Sequence, residues 1–143
     1  MNLTKRTDLA VRMLIFFADR GELGATSAEV AAAHGISASH CAKIMHQLSA
    51  NQWLETSPGR GSRATLAVNP GELSVGSIVR VLEPFELVEC FSIARDNCRL
   101  SGHCKLKGML KRARDAFLET LDKATIADLQ STHSRELART SSA

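Results

Sequence analysis

Leu9, Met13, Phe16 and Phe17 recur at helical spacing through residues 7–20, with Asp8, Arg12 and Asp19 between them. Apolar positions repeating every three or four residues predict a helix with one buried face. Gly21 and Gly24 then bound a turn. In "TSAEVAAAHG" Thr26 precedes Glu29 by three residues, a capping-box spacing, and Gly35 supplies a stop. Ser37 can cap the next segment, where Cys41, Ile44, Met45 and Leu48 form a second apolar stripe. Two short helices joined by a tight glycine turn read as a helix-turn-helix.

The period then changes. "WLETS" and "RATLAV" are short extended candidates on either side of "PGRGS", where Gly59 and Gly61 give the freedom a hairpin tip needs. A helix-turn-helix followed by such a hairpin is the winged-helix arrangement. Asn69-Pro70-Gly71 breaks the chain, Ser74 caps "VGSIVRVLE", and that helix stops before Pro84. Residues 84–104 show no clean period. After them Leu106, Met109 or Leu110, Ala113, Phe117 and Leu121 run as a stripe along about five turns. A long helix beside a small domain cannot bury such a stripe alone, so a twin from a second chain is the expected partner. "TIADL" predicts a short capped turn, and the polar stretch 131–143 reads as a flexible tail. The organisation expected is a winged-helix domain over 1–83, a loop over 84–104, a dimerisation helix over 105–130 and the tail. The fold class is mainly α.

Composition narrows the reading. The 143 residues are 44% hydrophobic and only 4% aromatic, so the core is built from aliphatic side chains and favours helices. A net charge of +3 permits nucleic-acid binding without demanding it. No apolar run approaches the ~20 residues a membrane helix needs. The apolar start is interrupted by Asp8 and Arg12 and lacks a small-residue cleavage site, which argues against a signal peptide. A cytoplasmic location is expected, and there clustered thiols point to metal or redox chemistry rather than structural disulfides. No acid–base or nucleophile set suggests an enzyme.

Two constellations carry candidate chemistry. On the second helix of the pair, Ser37, Ser39, His40, Lys43 and Gln47 offer donors that can reach phosphates and base edges from the major groove. Arg60 and Arg63 add charge at the hairpin, and Thr4, ahead of the first helix, is placed with the DNA contacts. Cys41 lies on the apolar stripe, where cysteine behaves as a small hydrophobe. The other three cysteines, Cys90, Cys98 and Cys104, fall within fifteen positions as C-x7-C-x5-C. Structural zinc sites usually show paired C-x2-C knuckles, which are missing here, although His103 adjoins Cys104. Iron–sulfur clusters accept irregular spacing, but three thiolates leave a cubane one ligand short. Spacing alone leaves zinc, thiol redox and iron–sulfur chemistry open.

"LTKRTDLAVRMLIFFA", "ISASHCAKIMHQLS", "LVECF", "GHCKLKGMLKRARDAFLETLD" and "TIADL", taken in that order, resemble the bacterial winged-helix iron–sulfur regulators. Within that family they are most similar to the nitric-oxide-sensing, nitrite-sensitive repressors, over about residues 1–130. The resemblance implies a homodimer that binds double-stranded operator DNA and carries one cluster per subunit, [4Fe–4S] favoured and [2Fe–2S] possible. Cys90, Cys98 and Cys104 would hold it, with Asp8 of the partner subunit as fourth ligand and Arg12 beside Asp8. It also implies that nitric oxide breaks this cross-subunit tie and releases the operator. The IscR-like branch carries a histidine where this chain has Lys107, and the RirA-like branch tends to carry Asn where it has Asp8. The remaining alternatives are an iron- or cluster-status sensor of the same fold, or a zinc or thiol-redox regulatory protein.

Overall fold

A computed structural model describes residues 2–100 and 102–131, so the tail expected from 131 onward lies, beyond Ser131, outside the described residues. Helix α1 spans Lys5–Arg20. It starts at Thr4, whose hydroxyl accepts the Thr7 N–H at 3.2 Å. Leu9, Ala10, Met13, Leu14 and Phe17 form its buried face. Helix α2, Ser27–His34, opens on the predicted capping box: Thr26 accepts from the Glu29 N–H at 3.2 Å and Glu29 accepts from the Thr26 N–H at 2.7 Å. It closes on Gly35 in the left-handed conformation. Helix α3, Ala38–Ala50, is capped by Ser37 and buries Cys41, Ile44 and Leu48 against α1 and α2.

The wing pairs β1, Leu54–Thr56, with β2, Ala64–Leu66, antiparallel, Leu54 opposite Leu66 and Thr56 opposite Ala64. Ala25 adds a third strand position, exchanging both backbone hydrogen bonds with Ala64 at 3.0 and 2.8 Å. Gly24 makes that approach possible. Its φ is +58°, and an added Cβ would stand 2.3 Å from the Ala64 carbonyl oxygen.

Charge then locks the wing to the helices. Arg63 donates to the carbonyls of Leu23 (2.9 Å) and Gly24 (3.1 Å) and pairs with Glu29 at 3.1 Å. Arg20 also donates to Gly24 and pairs with Glu29 at 3.3 Å. The Thr26 backbone N–H foremost, with Arg63 and Arg20, holds the Glu29 carboxyl below the usual carboxylate range despite some desolvation.

Helix α4, Val75–Leu82, is capped by Ser74 and ends at Glu83, ahead of Pro84. Helix α5, Lys105–Asp122, lies against it. Val75, Val79 and Leu118 form a second, smaller core with Phe85, Phe117 and Leu121 at its edge. Gly76 admits α5: a Cβ there would lie 2.0 Å from an Asp122 carboxylate oxygen and 2.9 Å from the Asp122 backbone nitrogen. Arg80 grips the same carboxylate with two hydrogen bonds of 2.5 and 2.6 Å.

The long helix therefore buries part of its stripe within its own chain. Leu118 is buried and Phe117 and Leu121 are half-buried, while Leu106 and Met109 remain 54% and 55% exposed. After α5 the chain returns to the main core instead of continuing as helix to 130. Ile126 is fully buried there, and Thr125 and Asp128 bond reciprocally in the predicted capped turn.

Gly76→Ala is expected to lower stability by ~1–3 kcal/mol, because the backbone of α5 blocks the new methyl and cannot retreat without opening the small core. Chemical denaturation measures this. Asp122 titrates below its ordinary value of 3.8, chiefly through the Arg80 hydrogen bonds, against a desolvation that raises it. A depressed carboxylate contributes stability above its unfolded pKa and loses it as pH falls through the folded one. The thermal midpoint should thus drop as pH is lowered below 3.8. Asp122→Asn should make that acid limb shallower but leave the contribution of Glu29.

Candidate nucleic-acid interface and metal centre

Ser37 caps α3, and from there the helix turns Ser39, Lys43 and His46 fully outward, with Ala42 and Ala50 beside them. These positions sit at i, i+4 and i+7, one stripe opposite Cys41, Ile44 and Leu48. His40 and Gln47 fall at the edge of that face and are half-buried. The side-chain oxygen of Gln47 is buried with no hydrogen-bond partner among the described residues. The outward face is therefore centred on Ser39, Lys43 and His46 rather than on His40, Lys43 and Gln47. His46 was missed; counting away from the buried stripe, rather than along it, finds it. Cys41 is fully buried as expected, its thiol 3.5 Å from the Ser27 carbonyl, and burial foremost pushes its pKa up.

The two arginines of the wing differ. Arg60 is exposed at the tip between Gly59 (φ +114°) and Gly61 (φ +71°) and makes no ion pair among the described residues. Arg63 is occupied at the root of the wing, by Leu23, Gly24 and Glu29. Thr4 is occupied too: its N–H and its hydroxyl both donate to Glu83, at 2.8 Å each, which ties the start of α1 to the end of α4. Burial raises the Glu83 carboxyl, but the hydrogen bonds from Thr7 and Thr4 and the charge of Arg6 prevail and hold it low.

One turn below Thr4, Asp8 pairs with Arg12, at 3.1 Å to Nε and 3.0 Å to the second guanidinium nitrogen. Both side chains remain about half-exposed or more (46% and 63%), so the pair leaves the carboxylate accessible. Asp8 opens onto a groove of about 930 Å³ walled by Leu3, Glu83, Phe85, Leu87 and Phe117.

Cys90, Cys98 and Cys104 are all half-buried, and none is in a disulfide. Their loop is fastened to α5 at three levels. Phe91, next to Cys90, lies under the Arg114 guanidinium at 5.2 Å. Asp96 accepts the Cys98 N–H at 3.1 Å and faces Lys107 at 3.7 Å. Cys104 caps α5 itself, its sulfur accepting the Lys107 N–H at 3.4 Å. Glu86 and Arg95 add an ion pair within the loop.

Among the described residues no group of three or more His, Cys, Asp or Glu is gathered around one point. By its chemistry the donor set is of the kind that iron–sulfur groups take. It offers three soft thiols carried by one fastened loop, with Asp8 standing apart at an open groove. Asp96 and Lys107 were not singled out for this arrangement from the sequence, since an ion pair eleven residues apart has no local signature.

No helix among the described residues is long and apolar enough to cross a membrane. The Rrf2 family profile, described as an iron-dependent transcriptional regulator, matches residues 3–132. The HTH-type transcriptional regulator NsrR of Geobacillus kaustophilus is 39% identical over 131 residues, 90% of this chain and 89% of its own length. The NsrR of Bacillus subtilis is 38% identical over 132 residues, 90% of each chain. In fold, the chain is similar to T. potens IscR, with a TM-score of 0.69 at 22% identity over 90% of this chain and 85% of that one. It is likewise similar to CymR, the global cysteine regulator of B. subtilis, with a TM-score of 0.70 at 21% identity over 90% and 95%. With its mainly helical winged-helix fold and long α5, this chain belongs to the Rrf2 family of iron-dependent transcriptional regulators and is not an enzyme.

Proposed function

We propose that the chain is a homodimeric operator-binding repressor that carries an iron–sulfur cluster and responds to nitric oxide. The observation that carries this reading is Asp8, a half-exposed carboxylate lining a groove of about 930 Å³. The likeness to NsrR-named regulators over 90% of the chain supports it. So do the exposed Leu106 and Met109 of α5, a surface that a twin helix would cover.

In this reading Cys90, Cys98 and Cys104 of one subunit and Asp8 of the partner subunit hold the cluster. When bound, it supplies an iron that nitric oxide can reach most easily where the ligand is a carboxylate, a harder and poorer partner than thiolate. The chain supplies the rest. Arg12 orients the Asp8 carboxylate through two hydrogen-bonding nitrogens, a contact worth only ~0.3–0.5 kcal/mol on a helix surface, so it positions without competing strongly. Asp8 rides on α1, whose Leu9, Met13 and Leu14 share one core with Ile44 and Leu48 of α3. A tie at the start of α1 therefore bears on the outward face of α3. Two such faces must meet half-sites about 34 Å apart, and a mismatched base contact costs ~1–3 kcal/mol. Freeing the loop from the partner's Asp8 removes that alignment, and the operator is released.

A second reading, response to iron supply, is favoured by the family's description as iron-dependent. Comparing nitric oxide with an iron chelator as the faster trigger of operator release separates the two.

Anaerobically purified protein should be straw to brown and should retard an operator fragment, with nitric oxide abolishing the shift. A Cys98→Ala variant that binds and responds as wild type would refute the proposal. At the wing, Arg60→Ala should weaken binding to all sequences and reduce the slope of log K against log salt by ~0.9, with an unchanged melting temperature. Arg63→Ala should instead destabilise the fold by ~1–2 kcal/mol, since it strips hydrogen bonds from two loop carbonyls.

A further inference from the structure

We propose that Asp96 and Lys107 are positioning residues that bring Cys98 up to Cys104, fastening the loop to the first turn of α5 before any metal is bound. The inference rests on the reading that the three cysteines are ligands. Five residues separate Cys98 from Cys104 in the chain, and closing such a segment costs entropy unless something holds its ends. Asp96 supplies one hold: its Oδ1 accepts the Cys98 N–H at 3.1 Å, a turn in which the side chain sets the backbone two residues on. Its Oδ2 faces the Lys107 ammonium at 3.7 Å, and the two side chains are only 21% and 35% exposed.

Lys107 closes the other half. Its backbone N–H, one of the unpaired donors at the start of a helix, points onto the Cys104 sulfur at 3.4 Å. One residue thus addresses Cys104 through its main chain and Cys98 through Asp96. Two neighbouring charges are engaged elsewhere: Arg95 by Glu86, and Arg114 by Asp115 and over Phe91 further along α5.

The test is made on the full chain in metal-free form, with Cys90→Ser so that only Cys98 and Cys104 can pair; Cys41 is fully buried. Glutathione disulfide oxidises the two thiols to one protein disulfide and is reduced to two glutathione thiols. The equilibrium reports the effective concentration of Cys98 for Cys104. Asp96→Ala should lower it ~5-fold, having lost both the turn and the charge. Asp96→Asn, which keeps the turn, and Lys107→Gln should each lower it ~2–3-fold, and the two together no further than either alone. Circular dichroism should be unchanged in all of them.

Equal effective concentrations in wild type and Asp96→Ala would overturn the inference, and a Lys107→Gln variant like wild type would overturn the part assigned to Lys107. Iron and sulfide assays on oxygen-protected wild type are read separately. Material free of both, with the exchange pattern as expected, would sink the cluster and leave the positioning intact. Material that carries both, with flat exchange data, would do the reverse.

Discussion

The crossing of α4 and α5 is the contact on which the rest of the molecule depends. Gly76 lets the two backbones approach, Val75, Val79 and Leu118 fill the space between them, and Arg80 grips Asp122 from the side. Remove the close approach and α5 has only half a surface to rest on. The cysteine loop leaves α4 at Glu83 and joins α5 at Cys104, so it connects the two helices that the crossing packs together. The segment after α5, with Ile126 in the main core, joins the α4–α5 pair to the DNA-binding domain.

That domain is held by a different kind of force. Its interior is aliphatic, but the wing would be a weak two-stranded hairpin if left alone. Glu29 prevents this by receiving Arg20 and Arg63 while also capping α2, so α1, α2 and the wing share one carboxylate. Such a surface cluster contributes modestly to stability, yet it decides where the wing tip and Arg60 stand relative to α3. Placement matters more here than strength, because a duplex is contacted at several points that must register together.

Helix α1 connects the two halves. Its buried face packs on α3, its first turn is held to the end of α4 through Thr4 and Glu83, and Asp8 looks out between these contacts. A force applied at Asp8 has little choice but to act on a packed core, and such cores shift as units rather than deform locally. This is the physical basis on which the proposed function links a cluster at one end of α1 to DNA contact by α3.

Much of this was legible in the chain. Helical periodicity, the Thr26–Glu29 capping box, the Gly35 stop and the glycines of the wing are local signals, set by backbone sterics and nearest neighbours, and the structure has them where the sequence puts them. The buried role of Cys41 follows from the same stripe. The order of the motifs along the chain is likewise that of the family. Long-range matters were not legible. Nothing local shows that Arg63 turns back to Leu23 and Gly24, or that Thr4 meets Glu83 seventy-nine residues away. Nor does it show that α5 covers part of its stripe in its own chain, or that Asp96 finds Lys107. The sequence by itself determined the elements, their caps and the chemical kinds of residue available. The tertiary structure alone decided which charges are engaged and which are left exposed, because a side chain's partners depend on how helices pack, and packing is settled by contacts between residues far apart in the chain.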